Sequence, residues 1–154
     1  MCRSPTAHGM LRHKLRQLGL EQHVTVDSAS THNLYTNSPP DERSQQIAAQ
    51  RGYDISDLRA RYLQDADFTQ ADLILVMDWN NLSLVQQRCP PEHQTKVRRV
   101  MEFGGLEGVA IVPEPYRGEA KDFEPALDLL EGACEGLLLH VRAVHESASC
   151  DEKP

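Results

Sequence analysis

The feature that most constrains the fold is a run of five apolar residues, Leu-Ile-Leu-Val-Met at 73–77, flanked by Asp72 and Asp78. A strand that is apolar on both faces is typical of a parallel sheet covered by helices on both sides. Such sheets occur in α/β proteins, where strands and helices alternate along the chain. The run therefore predicts an α/β sandwich built around a parallel sheet.

Helical periodicity on both sides of this run supports the prediction. Apolar residues recur at helical spacing from Ala7 to Leu18, and Gly19 is expected to end that helix. The patterns predict further helices at 41–52, 79–88 and 122–145, and further strands at 23–27 and 96–101. Ligands of such sheets bind at the carboxyl ends of the strands, so that edge is where a site is expected.

The length of the chain fits one globular domain. It has 154 residues, of which 40% are hydrophobic and 25% charged. These values are typical of a single domain with a substantial core. The domain is expected to span residues 1–145. The small, polar and acidic residues at 146–154 predict a disordered tail.

Charge and cysteine content argue against several functions. A net charge of −7 disfavours a nucleic-acid-binding protein, whose affinity comes mainly from lysine and arginine. No apolar run approaches the roughly 18 residues of a membrane span, so a cytoplasmic protein without a membrane partner is expected. The cysteines and histidines show no metal-ligand spacing, and we expect neither a metal nor a cofactor.

The N-terminal residues could form an anion site. Ser4 is predicted to cap the first helix, with Pro5 at its first position, where the missing N–H costs nothing. Arg3 stands just before that helix. Free helix amides beside a guanidinium bind phosphate-like anions, but an ordinary exposed N-terminus fits the same residues.

Three segments together resemble the low-molecular-weight protein tyrosine phosphatases over roughly residues 2–143. They are Cys-Arg-Ser-Pro-Thr-Ala at 2–7, Asp-Ser-Ala at 27–29 and Pro-Glu-Pro-Tyr at 113–116. The resemblance implies a three-layer α/β sandwich with a four-stranded parallel sheet in the order 2-1-3-4. In that family the nucleophilic cysteine stands five residues before the cysteine-arginine pair. The resemblance therefore implies that the first strand and the nucleophile are absent here, and we expect the chain as given to be inactive.

The resemblance also assigns roles to particular residues. It implies that Arg3 holds phosphate oxygens, that Ser4 hydrogen-bonds the thiolate, and that Glu114, where the family has aspartate, is the general acid. One extra methylene displaces the carboxyl group of Glu114 from the family's position, and a misplacement of about 1 Å can cost on the order of 10²-fold in rate. The expected substrate-binding residues are Cys2, Leu34, Tyr35 and Tyr116.

The expected partners are phosphotyrosine proteins, with a bacterial tyrosine kinase among the candidates, and inorganic phosphate. The expected reaction is hydrolysis of phosphotyrosine through a cysteinyl-phosphate intermediate. Two alternatives fit the same residues. One is a non-catalytic domain that binds phosphate or a phosphoprotein, and the other is a truncated gene product without activity.

Overall fold

The computed structural model describes residues 2–151. Its helices and strands follow one another as α1 (Arg3–Gln17), α2 (Glu42–Gln50), α3 (Asp65–Gln70), β1 (Ile74–Val76), α4 (Trp79–Arg88), β2 (Val97–Arg99) and α5 (Phe123–Asp151). Short 3-10 turns lie at Pro91–Lys96, Val100–Phe103 and Ala120–Asp122. No helix within residues 2–151 has both the length and the apolar character needed to span a membrane.

The apolar run forms β1, which pairs in parallel with β2. Successive residues of the run pack on opposite faces, because Val76 belongs to one hydrophobic cluster and Met77 to another. Helices α1, α2 and α5 contribute to the cluster around Met77, whereas α3 and α4 contribute to the cluster around Val76. The predicted α/β arrangement with a doubly covered parallel sheet is therefore confirmed.

The four-stranded sheet is not confirmed, because the residues that the structure describes form a sheet of two strands. Residues 23–27 were predicted to be a strand, and this prediction is wrong. Alternating valines give β propensity, but a strand also needs a paired backbone. The amide of Val24 instead donates to the Leu20 carbonyl in a turn, and the first bridge after this segment joins Ser30 to Tyr62.

The start of the first helix and the end of the last helix differ from the predictions. The first helix begins at Arg3 with Cys2 at the N-cap position, so the prediction that Ser4 caps it is wrong. The Thr6 amide and hydroxyl both donate to the Cys2 carbonyl, which starts the helix before Ser4. The last helix was predicted to end at residue 145 but extends to 151, into the segment predicted as a tail. Residues 152–154 of that segment lie outside the described residues.

The fold brings three segments to the carboxyl end of β1. Asp78 follows the strand directly and is the N-cap of α4, accepting a hydrogen bond from the Asn81 amide. The Val112 amide donates to the Met77 carbonyl at 2.9 Å, which ties the loop after residue 111 to the same edge. The first turn of α1 completes the group. A parallel sheet is expected to bind its ligands at this edge.

Candidate active site

Arg3 is the centre of the candidate site. Its Nη1 atom donates to Asp78 Oδ2 and to the Val112 carbonyl oxygen, each at 2.7 Å. Its Nη2 atom lies 3.0 Å from Glu114 Oε2. The Arg3 side chain is only 10% exposed. A buried guanidinium with several fixed acceptors has one orientation, which suits a group that must hold phosphate oxygens at set positions.

Asp78 fixes that orientation, although sequence reasoning gave it no role. One carboxylate oxygen caps α4 and the other accepts from Arg3. Partial burial opposes ionisation of Asp78, but the Asn81 amide and the Arg3 guanidinium outweigh it, so the pKa of Asp78 is lowered. The signal that could have found Asp78 is its place directly after a buried strand, at the edge where ligands bind.

Glu114 contacts the Nη2 atom of Arg3, whereas Asp78 contacts the Nη1 atom. Glu114 belongs to a turn in which the Gly118 amide donates to the Pro115 carbonyl and the Tyr116 amide donates to Glu114 Oε1. Its side chain is 47% exposed, in contrast to that of Arg3. Glu114 can therefore reach solvent, or a bound ligand, without leaving the turn.

The residues predicted to bind the aromatic part of a substrate lie on two exposed loops. Tyr35 and Tyr116 stand close enough together for their phenol groups to interact, and the interaction raises the pKa of Tyr116. Leu34 is 78% exposed and is therefore not packed against the site. The structure thus brings Tyr35 and Tyr116 together and leaves Leu34 outside their pair.

Cys2 and Ser4 flank Arg3 in the chain but differ in environment. Cys2 is 2% exposed and belongs to the same hydrophobic cluster as Met77, and burial raises the pKa of its thiol. A buried, protonated thiol is a poor nucleophile. Ser4 is half-buried in the first turn of α1.

Two further cysteines with described side chains do not supply an accessible thiol. Cys89 and Cys134 are both buried and unpaired. Burial raises the pKa of Cys134 to about 12, and its sulfur lies near the Ala7 carbonyl within the core. Among the cysteines whose side chains the structure describes, none is an exposed thiol beside Arg3.

The comparisons with known proteins show the family of this chain. The family model described as low molecular weight phosphotyrosine protein phosphatase matches residues 1–148. A low molecular weight protein-tyrosine-phosphatase of Streptomyces coelicolor is 33% identical over 145 residues, which cover 92% of this chain and 88% of the relative. The chain belongs to the low molecular weight phosphotyrosine protein phosphatase family, a family of hydrolases that dephosphorylate proteins at tyrosine.

Solved structures show the same similarity. A protein tyrosine phosphatase of Entamoeba histolytica, with Hepes in its active site, superimposes with a TM-score of 0.89 at 30% identity, covering 94% of this chain and 92% of the other. Vibrio vulnificus Wzb in complex with benzylphosphonate gives a TM-score of 0.76 at 28% identity, covering 89% of each chain. The predicted family is therefore confirmed. The match from residue 1 onward gives no support to the predicted loss of a first strand.

Proposed function

We propose that the cluster of Arg3, Asp78 and Glu114 binds the phosphate group of phosphotyrosine in proteins. The observation that carries the proposal is the largely buried Arg3 guanidinium, which Asp78 holds at the carboxyl end of β1 and which also contacts Glu114 on an exposed turn. Asp78 sets the position of the guanidinium. Arg3 is then available to neutralise the equatorial oxygens of a transferring phosphoryl group.

The proposed chemistry follows from what an aryl phosphate requires. The family resemblance implies a thiolate that attacks phosphorus in line as the bond to the tyrosine oxygen breaks, and Glu114 would give its proton to the departing phenolate. Water would then attack phosphorus, Glu114 would take up a proton from that water, the sulfur–phosphorus bond would break, and inorganic phosphate would leave. Ser4 would stabilise the thiolate as it departs. Tyr35 and Tyr116 would border the substrate ring, because aromatic faces stack on a phenol.

The nucleophile is the component for which the described cysteines offer no candidate, because Cys2, Cys89 and Cys134 are buried. We therefore propose that residues 1–154 bind the phosphate group but do not turn over aryl phosphates by themselves. In the same proposal, β1 and β2 are two of the four strands expected from the family resemblance, with the order 2-1-3-4.

The proposed ligands are phosphotyrosine proteins, including a bacterial tyrosine kinase, with inorganic phosphate as the product. Benzylphosphonate, which Wzb binds, joins an aromatic ring to a phosphonate through one methylene and so has the shape of a phosphotyrosine side chain. The free thiols of Cys2, Cys89 and Cys134 support the cytoplasm as the proposed location, since thiols stay reduced there.

A second candidate function is non-catalytic recognition of a phosphoprotein. The same observation favours it: the guanidinium site is formed, while the thiols with described side chains are buried. The two candidates share the binding step, and both predict that residues 1–154 bind the phosphate group without turnover.

Titration of residues 1–154 with inorganic phosphate and with benzylphosphonate tests the binding step, followed by NMR or calorimetry. We expect both to bind, and Arg3→Gln to abolish binding while leaving the fold intact. Arg61→Gln is the matched control, because Arg61 also bridges two carboxylates, Asp27 and Asp67, but lies in another ion-pair cluster. A folded wild-type protein that binds neither probe would contradict the proposal.

Hydrolysis of para-nitrophenyl phosphate tests turnover, which we expect to be absent from residues 1–154 under both candidates. Turnover that is lost in Cys2→Ser would make Cys2 the nucleophile and would overturn the assignment made here. Turnover that survives Arg3→Gln would show that the site itself is misassigned.

A further inference from the structure

We propose that Arg43 is a positioning residue that holds the loop carrying Glu114 and Tyr116 in place for the aromatic part of the ligand. The proposal rests on the proposed function of the Arg3 site and extends it to a residue that does not touch the ligand. Arg43 Nη1 donates to the Gly118 carbonyl at 2.7 Å, and Nη2 donates to the Tyr116 carbonyl at 2.8 Å. Both carbonyls belong to the loop that follows Glu114.

Asp41 sets the direction of the guanidinium. Its carboxylate accepts from Arg43 Nε at 2.9 Å and from Nη2 at 2.8 Å, as a two-pronged pair. The same carboxylate caps α2 by accepting from the Arg43 backbone amide. Because one residue fixes both the start of the helix and the guanidinium, the contact with the loop is anchored in regular structure.

The Arg43 guanidinium also joins a third segment. Its carbon lies 4.8 Å from the centre of the Phe123 ring, at the start of α5, and 5.8 Å from the centre of the Tyr116 ring. The Phe123 ring is buried, so this side of the guanidinium rests on the core. Arg43 therefore links the start of α2, the loop and the start of α5.

The loop is thus held at two points. At its first end the Val112 amide donates to the Met77 carbonyl, and the Val112 carbonyl accepts from Arg3. At its other end the carbonyls of Tyr116 and Gly118 bind Arg43. Glu114 lies between these points, and its distance from Arg3 depends on both. Loss of the second point would remove the hydrogen bonds that hold the carbonyls of Tyr116 and Gly118 to α2.

This arrangement requires arginine rather than another cation. The guanidinium donates in four directions that lie in one plane, whereas the ammonium group of lysine is a compact charge that cannot reach Asp41 and two carbonyls in the same geometry. Replacement by lysine keeps the charge and removes the fixed geometry. It therefore separates positioning of the loop from attraction of an anion.

The two probes of the Arg3 site respond differently if Arg43 positions the loop. Inorganic phosphate contacts the guanidinium of Arg3, whereas benzylphosphonate also needs Tyr116 beside its ring. In Arg43→Lys we expect affinity for benzylphosphonate to fall about fivefold, the cost of ordering a loosened loop, and affinity for phosphate to change by less than about twofold. Backbone amides at 116–118 should also exchange with solvent faster than in the wild type.

Two further variants complete the experiment. Asp41→Asn keeps a residue that caps helices well but removes the charged pair with Arg43. We expect it to lower affinity for benzylphosphonate selectively, as Arg43→Lys does, and it serves as the test if Arg43→Lys does not fold. Arg61→Gln should leave both affinities and the loop amides unchanged. A general loss of stability would lower the affinities for phosphate and for benzylphosphonate together, and would not lower the affinity for benzylphosphonate alone.

The outcomes distinguish the positioning role of Arg43 from the proposed function of the Arg3 site. Wild-type protein that binds neither probe contradicts the proposed function. Binding by the wild type, with an unchanged ratio of the two affinities or unchanged exchange at 116–118 in the variants, overturns the role of Arg43 and leaves the proposed function standing. A selective loss of benzylphosphonate affinity with faster exchange supports both.

Discussion

Gly136 in α5 allows a close approach between this helix and the segment that follows β2. A methyl group at Gly136 would overlap the carbonyl oxygen of Phe103 and lie 3.0 Å from its carbonyl carbon. These are backbone atoms, which cannot rotate away as the end of a side chain can. Four residues earlier in the same helix, a methyl group at Gly132 would meet only the Gly104 carbonyl oxygen, at an ordinary 3.6 Å.

The two glycines form a matched pair for mutation to alanine. Each change gains about 1 kcal/mol, because alanine favours the interior of a helix over glycine by that amount. At Gly136 the overlap forces α5 away from the Phe103 carbonyl, and because backbone atoms cannot rotate aside, we expect this overpacking to cost about 2–3 kcal/mol, the upper part of the usual range. We therefore expect Gly132→Ala to stabilise the protein by about 0.5–1 kcal/mol and Gly136→Ala to destabilise it by about 1–2 kcal/mol.

Urea and thermal unfolding followed by circular dichroism measure this difference. For a domain of this size, 1 kcal/mol shifts Tm by about 2–4 °C, so Gly136→Ala should lower Tm by roughly 2–8 °C and Gly132→Ala should raise it slightly. The dependence on urea should stay the same, since neither change alters the surface exposed on unfolding. Equal or greater stability of Gly136→Ala relative to Gly132→Ala would show that α5 does not approach Phe103 as described.

Three further predictions concern the site and the fold. Glu114→Gln should strengthen binding of inorganic phosphate about two- to fivefold in titrations, because it removes a partly exposed carboxylate that competes for Arg3. Phe68→Ala should lower the free energy of unfolding in urea by about 3–5 kcal/mol, since Phe68 is fully buried in the cluster beneath α4. The hydrogen bond from the Arg43 side chain lowers the pKa of Asp41 in the folded protein. Asp41 therefore stabilises the fold at pH values above its unfolded pKa of about 3.9, and this contribution is lost as pH falls through the lower folded pKa. In unfolding measurements between about pH 2 and 6, Asp41→Asn should make the free energy of unfolding depend less on pH.

The sequence predicts β1 well because both faces of this strand are covered. The strand is apolar at successive residues because it packs against two hydrophobic clusters, one through Val76 and the other through Met77. Residues 23–27 show the opposite case. Their alternation describes side chains, whereas a strand depends on a partner backbone elsewhere in the fold, and the segment itself does not encode that partner.

The site shows the same contrast. The family resemblance gives Arg3 and Glu114 separate roles toward one phosphate group, and the structure brings the two side chains into contact at 3.0 Å. Asp78 and Arg43 could not be found in this way. Aspartate before a helix is typical of an ordinary cap, and the second bond that each residue makes, to Arg3 or to the loop carbonyls, joins segments far apart in sequence.

The two carboxylates around Arg3 have different parts in the proposed function, because they are attached differently. Asp78 is bound to the Asn81 amide as well as to Arg3, so its movement would uncap α4. Glu114 is about half exposed, and its other contact, with the Tyr116 amide, lies within its own turn. An incoming phosphate therefore displaces Glu114 at lower cost than Asp78. After such a displacement the Glu114 carboxyl would remain on the loop whose carbonyls Arg43 binds. In the proposed function, the exposure that lets Glu114 give way to the anion is therefore also the property that would let it act as the acid.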